Sequence, residues 1–220
     1  MRLIIISDMK IVKFTFNPIQ ENTYLAIDDN KNVVIIDPGC YFEEERQLLR
    51  DYISKNELTV KALLNTHGHL DHIMGNDFIK REYNVDLYLH EADVVTLKMG
   101  ERSAQMYGLN QFQASPMPDV FIKEGETLTF EGISFEVLFC PGHAPGHVVL
   151  YSPKDELVIN GDVLFKGSYG RVDLPGGDFQ TLKDSITQKM FNLPDNTLVY
   201  TGHGPETTIG EEKKSNPILW

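Results

Sequence analysis

A seven-residue segment, 66–72, constrains the fold of this chain more than any other feature. Its sequence, THGHLDH, places three of the seven histidines and one carboxylate within six positions. Imidazole and carboxylate groups are ligands for zinc and iron, and the glycine lets closely spaced side chains converge on one point. The apolar run 60–64 directly before the segment predicts a buried strand. The fold must therefore present a metal-binding loop at the carboxyl end of a strand.

The charge balance and the cysteines narrow the classes of partner and compartment. The chain has 20 Lys and Arg against 32 Asp and Glu, a net charge of −12, so we expect no nucleic-acid partner. Apolar runs are far shorter than the roughly 20 residues that span a bilayer, so we expect no membrane partner. Cys40 and Cys140 are too far apart for a typical secreted disulfide framework, and residues 1–10 lack the long apolar core of a signal peptide. The sequence predicts a cytoplasmic protein.

A single domain over residues 1–220 is the simplest organisation, because the sequence has no repeat, low-complexity stretch or long linker. Strand-like runs alternate with helices predicted over 42–54, 73–82 and 179–191. The segment 98–119 predicts a short helix and a loop that borders the active site. This order of elements predicts an α/β fold with two sheets covered by helices.

Three further residues of ligand type each follow a predicted strand and lie beside glycine. They are His143 in CPGH, Asp162 in NGD and His203 in TGHG. Any one of them is more often a turn residue than a ligand. Together, at strand ends where sites gather, they favour a shared metal site.

The motifs HGHLDH, PGHAPGH, GD and GHG, in this order, resemble those of the metallo-β-lactamase superfamily. Within it, CPGHAPGH, GDVLF and GHG are similar to glyoxalase II and its short bacterial relatives. The resemblance implies an αββα sandwich, with two mixed sheets flanked by helices and a dinuclear metal site at one edge. It implies one ion held by His67, His69 and His143, a second held by Asp71, His72 and His203, and Asp162 as a bridge. Two divalent ions are expected as cofactors, with zinc preferred and iron or manganese as alternatives.

The same resemblance implies metal-dependent hydrolysis of a small-molecule thioester, with a thioester derived from glutathione as the candidate. A hydroxide bridging the two ions would attack the carbonyl, and Asp71 would orient it and accept its proton. After Asp162, the chain mixes aromatic and cationic groups, so Lys166, Tyr169 and Arg171 are candidates for binding an anionic substrate.

The end of the chain departs from full-length glyoxalase II, which has an additional helical domain that contacts glutathione. Only 17 residues follow His203, so we expect that domain to be absent. The segment 206–220 predicts one short helix that ends near Trp220, a candidate for core packing or for a homodimer contact.

Several alternatives stay open at the level of sequence. The segment GRVDL at 170–174 partly resembles a run in persulfide dioxygenases, which have the same fold and use a single iron. The second histidine of PGHAPGH and the GHG turn favour a hydrolase over the dioxygenase. Lactonase or β-lactamase activity and a noncatalytic metal-binding module are further alternatives, and the complete ligand set argues against the noncatalytic module. His147 is either a brace for a ligand or a structural histidine, while His90 is expected to be structural. The two cysteines are expected to be buried thiols without a catalytic part.

Overall fold

Two six-stranded sheets stack face to face in the computed structural model, which describes residues 9–220. In the first sheet the strands follow chain order; the first two pairings are antiparallel and the other three are parallel. Its strands are β1 (Lys10–Phe16), β2 (Glu21–Ile27), β3 (Asn32–Ile36), β4 (Thr59–Leu64), β5 (Leu87–His90) and β6 (Val120–Ile122).

The second sheet has the order β14-β13-β10-β9-β8-β7, and only the pairing of β10 with β13 is parallel. A short hairpin of β11 and β12 follows β10 and belongs to neither sheet. The strands are β7 (Thr127–Phe130), β8 (Ile133–Phe139), β9 (Val148–Ser152), β10 (Leu157–Gly161), β11 (Leu164–Phe165), β12 (Ser168–Tyr169), β13 (Leu198–Thr201) and β14 (Thr207–Thr208).

Helices cover the outer faces of both sheets. Leu49 and Ile53 of α1 pack on the first sheet, and Leu182 and Ile186 of α5 pack on the second. A third apolar cluster fills the space between the sheets. The helices are α1 (Glu43–Lys55), α2 (Asn76–Tyr83), α3 (Val94–Lys98), α4 (Gly100–Met106), α5 (Phe179–Gln188) and α6 (Ile209–Ser215). The predicted αββα arrangement with two mixed sheets is confirmed.

Strand β2 shows why the sequence forms these layers. Successive side chains of a strand point to opposite faces of the sheet. Tyr24 and Ala26 accordingly lie in the cluster between the sheets, whereas Leu25 and Ile27 lie under the outer helices. Because both faces are covered, every residue of this strand is buried.

The helix predictions are correct in place but not always at their ends. Helix α1 agrees with its prediction to within one residue at each end. The helix predicted over 73–82 begins only at Asn76, after a separate 3-10 turn, Leu70–His72; the Gly75 amide, at the N-cap, donates to the Pro38 carbonyl (2.6 Å). The helix predicted over 179–191 ends at Gln188 and is followed by a separate 3-10 turn, Met190–Asn192.

The segment 98–119 contains α4 and then a long loop, as predicted. Helix α3 and strand β6, on either side of it, were not predicted. The end of the chain forms α6, as predicted, and a further 3-10 turn, while Trp220 is 83% exposed. Among residues 9–220, no helix has both the length and the apolar character to cross a membrane.

Candidate metal centre

The predicted ligand residues lie in loops at one edge of the sandwich. His67 follows the carboxyl end of β4, Asp162 follows β10, and His203 follows β13. Because β10 and β13 are parallel neighbours, their carboxyl ends meet at the same edge. An isolated β-bridge between Glu21 and His203 then joins this edge to the first sheet. The fold thus brings distant segments of the chain to one place.

His67, His69 and His143 form the first cluster, in which the candidate ligand atoms all lie within 4.8 Å of one another. Nδ1 of His69 lies 2.8 Å from Nε2 of His143. Nδ1 of His143 donates to the carbonyl of Arg171 (2.7 Å), so Nε2 is the nitrogen of His143 that faces the cluster. This cluster therefore presents imidazole nitrogens toward a common point.

Asp71, His72 and His203 form the second cluster, again with ligand atoms within 4.8 Å of one another. Oδ2 of Asp71 lies 3.1 Å from Nε2 of His203 and 3.7 Å from Nε2 of His72. Nδ1 of His203 donates to the carbonyl of Gln20 (3.2 Å), so Nε2 faces the cluster. The second cluster differs from the first by its carboxylate.

Asp162 lies between the two clusters. Its Oδ2 atom is 3.5 Å from Nε2 of His143 and 3.5 Å from Nε2 of His203. Its Oδ1 atom is 3.5 Å from Nε2 of His72. One carboxylate thus contacts ligand nitrogens of both clusters, which is the arrangement expected of a bridging ligand.

The pattern of unpaired buried atoms fits a divalent metal ion. Within residues 9–220, Nε2 of His67, Nε2 of His72 and Oδ1 of Asp162 are buried and have no hydrogen-bond partner. Buried polar atoms without partners are costly in folded proteins. Nδ1 of both histidines contacts an oxygen, so Nε2 is the nitrogen of each ring that is available to a metal ion.

Electrostatic effects act differently on the two clusters. Burial lowers the pKa of His67 well below its ordinary value and that of His69 to about 3, and neighbouring imidazoles act in the same direction. Burial also opposes the charged form of His72, but the carboxylates of Asp162 and Asp71 raise its pKa above the ordinary value. His67 and His69 therefore offer lone pairs at neutral pH without losing a proton, whereas His72 has to lose one.

The pKa values of His203 and Asp162 are also set by burial and by neighbouring opposite charges, which act in opposite directions. Burial opposes the charged form of His203, but its hydrogen bond with Asp71 and the Asp162 carboxylate raise its pKa. Burial opposes the charge of Asp162 too, yet His72 and the other imidazoles hold its pKa well below the ordinary value. Asp162 is therefore ionised across the neutral range.

Asp37 organises two of the ligands and was not among the residues predicted from the sequence. Its carboxylate accepts from the Thr66 amide (2.7 Å), the Thr66 hydroxyl (2.6 Å) and Nδ1 of His72 (3.2 Å). Since the Thr66 hydroxyl donates to Asp37, it accepts from Nδ1 of His67 (3.1 Å). One carboxylate thus fixes the ring orientation of a histidine in each cluster. The available signal was its position, at the carboxyl end of a strand next to β4.

Asp93 joins the two loops that carry the first cluster, and no sequence signal indicated it. The side chain is fully buried and follows β5 in a 3-10 turn. Its Oδ2 atom accepts from the Gly68 amide, while Oδ1 accepts from the Gly146 amide (2.9 Å) and the Thr96 hydroxyl (3.1 Å). The loop that carries His67 and His69 and the loop that carries His143 are therefore both hydrogen-bonded to the Asp93 carboxylate.

The structure decides between the two interpretations of His147. Its ring stacks on that of His67, with centroids 4.5 Å apart, and its Nε2 atom accepts from the amide of Asp162 (3.1 Å). His147 therefore braces two ligand residues. His90 has a structural role, as predicted, because its Nδ1 atom accepts from the Ala92 amide and its ring stacks on Phe139.

Both cysteines are buried free thiols, as expected. Burial raises the pKa of Cys140 to about 12 and that of Cys40 further still. Thiols with such high pKa values are poor nucleophiles at neutral pH.

A cavity of about 680 Å³ opens beside the metal-ligand clusters. Of the three predicted substrate-binding residues, Tyr169 and Arg171 line it, whereas Lys166 is exposed in the turn between β11 and β12. The guanidinium of Arg171 makes two hydrogen bonds of 2.7 Å to Asp173. Its charge is therefore already paired at the cavity edge. The complete lining is Pro18, Ile19, His69, Leu70, Asp71, Ser103, Tyr107, Leu109, His143, Asp162, Phe165, Ser168, Tyr169, Arg171, Leu174 and His203.

Comparison with known families agrees with this geometry. A family model described as the metallo-beta-lactamase superfamily matches residues 16–203. The chain belongs to the metallo-β-lactamase superfamily. A relative from Haemophilus influenzae, named hydroxyacylglutathione hydrolase GloC, is 42% identical over 201 residues, which cover 91% of this chain and 93% of the relative.

Two solved structures of the superfamily are also similar. The BLEG-1 B3 metallo-beta-lactamase has a TM-score of 0.87 and 36% identity, over 96% of this chain and 99% of that chain. TTHA1623, in a di-iron-bound form, has a TM-score of 0.84 and 38% identity, over 94% of this chain and 100% of that chain. Together with the family match, these relatives identify the chain as a hydrolase of the metallo-β-lactamase superfamily, a family of metal-binding enzymes.

Proposed function

We propose that this hydrolase cleaves a small-molecule thioester of the hydroxyacylglutathione type at a centre that holds two divalent ions. The observation that carries the proposal is the position of Asp162 between two clusters of three ligands each. The similarity to a hydroxyacylglutathione hydrolase supports the reaction type. Zinc is the preferred ion, with iron or manganese as alternatives, since all three accept this set of ligands.

In this proposal each cluster would hold one ion, and the Asp162 carboxylate would be available to both. When bound there, divalent ions polarise a carbonyl oxygen and lower the pKa of a water molecule toward neutrality. The unpaired buried Nε2 atoms of His67 and His72 and the unpaired Oδ1 atom of Asp162 support this assignment.

In the proposal Asp71 is a metal ligand and also accepts a proton from the attacking water. Its Oδ2 atom is engaged with Nε2 of His203 (3.1 Å), and the residue also lines the cavity. Burial opposes its charge, but His72 lowers the pKa of Asp71 below the ordinary value. The carboxylate is therefore ionised at neutral pH and can orient a proton donor.

The test is the hydrolysis of a panel of thioesters, lactones and β-lactams by metal-loaded protein. Asp71→Asn should lower kcat/KM for the best thioester by at least about a hundredfold, the usual contribution of a positioned proton acceptor. Asp77→Asn is the matched control, because Asp77 lies outside the centre on α2 and pairs with Arg81. An unchanged rate in Asp71→Asn with full metal content would refute the proposed role.

The main alternative, a persulfide dioxygenase with a single iron, requires only one set of ligands. The presence of the second cluster, with its own carboxylate, favours the hydrolase. Oxygen consumption with a persulfide, measured on the same metal-loaded protein, tests the alternative directly. The cytoplasmic location and the homodimer stay predictions.

A further inference from the structure

Five residues with apolar side chains form one part of the cavity, which we name the apolar wall. They come from the β1–β2 turn, from the loop before α2, and from the end of α4 with the loop after it. The apolar wall consists of Pro18, Ile19, Leu70, Tyr107 and Leu109.

The apolar wall is firmly supported from behind. Leu70 is buried in a cluster with Tyr41 and Met74, and Leu109 packs against the same cluster. The Tyr41 hydroxyl also accepts from the Gln111 amide (3.0 Å), which fixes the loop after α4. The wall is thus a preformed surface, as expected of a small-molecule site.

The outer part of the wall exposes apolar surface that the core does not use. Ile19 is 42% exposed and Tyr107 is 60% exposed. Burial of such surface by a bound apolar group is favourable in proportion to the area removed from water. Both residues line the same cavity as the metal-ligand residues His69 and Asp71, so an acyl group next to the reacting carbonyl is within the same space.

Few groups in the cavity could bind a charged or strongly polar acyl group. Apart from the candidate ligands, the polar side-chain groups in the lining are Ser103, Ser168, Arg171 and the hydroxyls of the two tyrosines. Among residues 9–220, Arg171 is the only Lys or Arg that lines the cavity, and both hydrogen bonds of its guanidinium go to Asp173. The cavity volume of about 680 Å³ lies in the range of sites that hold drug-sized ligands, so an acyl group longer than lactoyl fits in it.

We infer that the preferred substrates are thioesters with an apolar acyl group longer than a short hydroxyacyl group, and that the apolar wall binds this group. The inference rests on the proposed function, because it assumes that a thioester carbonyl reacts at the metal centre.

The test uses zinc-loaded protein and a series of N-acetylcysteamine thioesters, from acetyl to hexanoyl, with lactoyl included. All members of the series have the same uncharged leaving group, N-acetylcysteamine, so they differ only in the acyl group. The value of kcat/KM should rise by about fourfold for each methylene that the wall buries, equivalent to about 0.8 kcal/mol. The hexanoyl thioester should also be cleaved faster than the lactoyl thioester.

Two variants at adjacent positions distinguish the effect of the apolar wall on acyl preference from a general effect of changing the surface. Tyr107→Ser should lower the hexanoyl-to-acetyl ratio of kcat/KM by about tenfold, because the aromatic ring no longer covers the chain. Met106→Ser is the matched control, since Met106 is 75% exposed and does not line the cavity; its ratio should equal that of the parent protein.

The outcomes distinguish the two proposals. If thioesters are cleaved but kcat/KM is flat or falls with chain length, the apolar acyl preference is wrong and the proposed function stands. The preference is also wrong if both variants change the ratio equally. If lactoylglutathione is cleaved but the N-acetylcysteamine series is not, the apolar acyl preference is again wrong. If neither is cleaved although two ions are bound, the proposed function itself fails.

Discussion

The carboxylate of Asp93 provides a sharp test of how the ligand loops are held. Asparagine has nearly the same shape as aspartate but only one acceptor oxygen. In the structure, the Gly68 and Gly146 amides donate to different oxygens of Asp93. Asp93→Asn therefore leaves one of the two amides without an acceptor, facing an NH₂ group instead.

The expected loss of stability follows from the one buried amide that loses its acceptor. A buried amide without a partner costs about 1–3 kcal/mol, so the free energy of unfolding of the metal-free protein should fall by about that amount. Because the freed loop carries ligands of the first cluster, affinity for one ion should also fall, by about 10–100-fold. The other ion should be affected much less.

Urea unfolding measures the stability, and competition with a chromophoric chelator measures the two metal affinities. Glu91→Gln is the matched control, since Glu91 lies in the same 3-10 turn and is exposed. If Asp93→Asn matches this control in both measurements, Asp93 does not hold the loops and the reasoning is wrong.

Three more predictions concern other parts of the site. Lowering the pH from about 8 to about 6 should release the ion of the second cluster first, because the raised pKa values of His72 and His203 let protons compete there; elemental analysis at each pH would contradict this if the ions left together or in the reverse order. Asp37→Asn should weaken binding of both ions by about 10–100-fold, since it orients a histidine in each cluster, and chelator competition giving parental affinities would exclude that role. Glu212 accepts from the Gly167 amide (3.0 Å) in the turn of the β11–β12 hairpin, which carries Phe165 and Tyr169 to the cavity. Glu212→Gln should therefore raise KM by up to about tenfold with two ions still bound, and a parental KM in steady-state kinetics would contradict this prediction.

The sequence predicted the fold and the candidate ligands because both depend on local patterns. The segment 66–72 carries four ligand-type side chains in one loop, and the other three residues each lie beside a glycine at a strand end. Strand alternation and apolar runs were enough to predict two covered sheets.

The supporting residues could not be predicted, because their roles arise from contacts between distant segments. Asp37 contacts Thr66 because β3 and β4 are parallel neighbours with Ile36 opposite Leu64, and neither this pairing nor its register can be deduced from the sequence. Asp93 binds loops that lie 25 and 53 positions away. The pairing of Arg171 with Asp173 is local, but no sequence pattern distinguishes a paired arginine from one that is free to bind an anionic substrate.

The C-terminal segment illustrates the same limit. The sequence predicted a short helix there, with a candidate role in packing or in a homodimer contact. In the structure, Asn216 donates to the Ser168 carbonyl (2.8 Å), so the end of the chain holds the hairpin that carries Phe165 and Tyr169 to the cavity. Such a role depends on where the helix packs rather than on its own sequence.

The most direct test of the account is the number of metal ions per chain. Elemental mass spectrometry on protein purified without chelators, set against protein concentration, gives this number and the identity of the ions. The two clusters joined by Asp162 predict two ions per chain. A single iron per chain, with no second ion bound after zinc is added, would contradict the dinuclear centre.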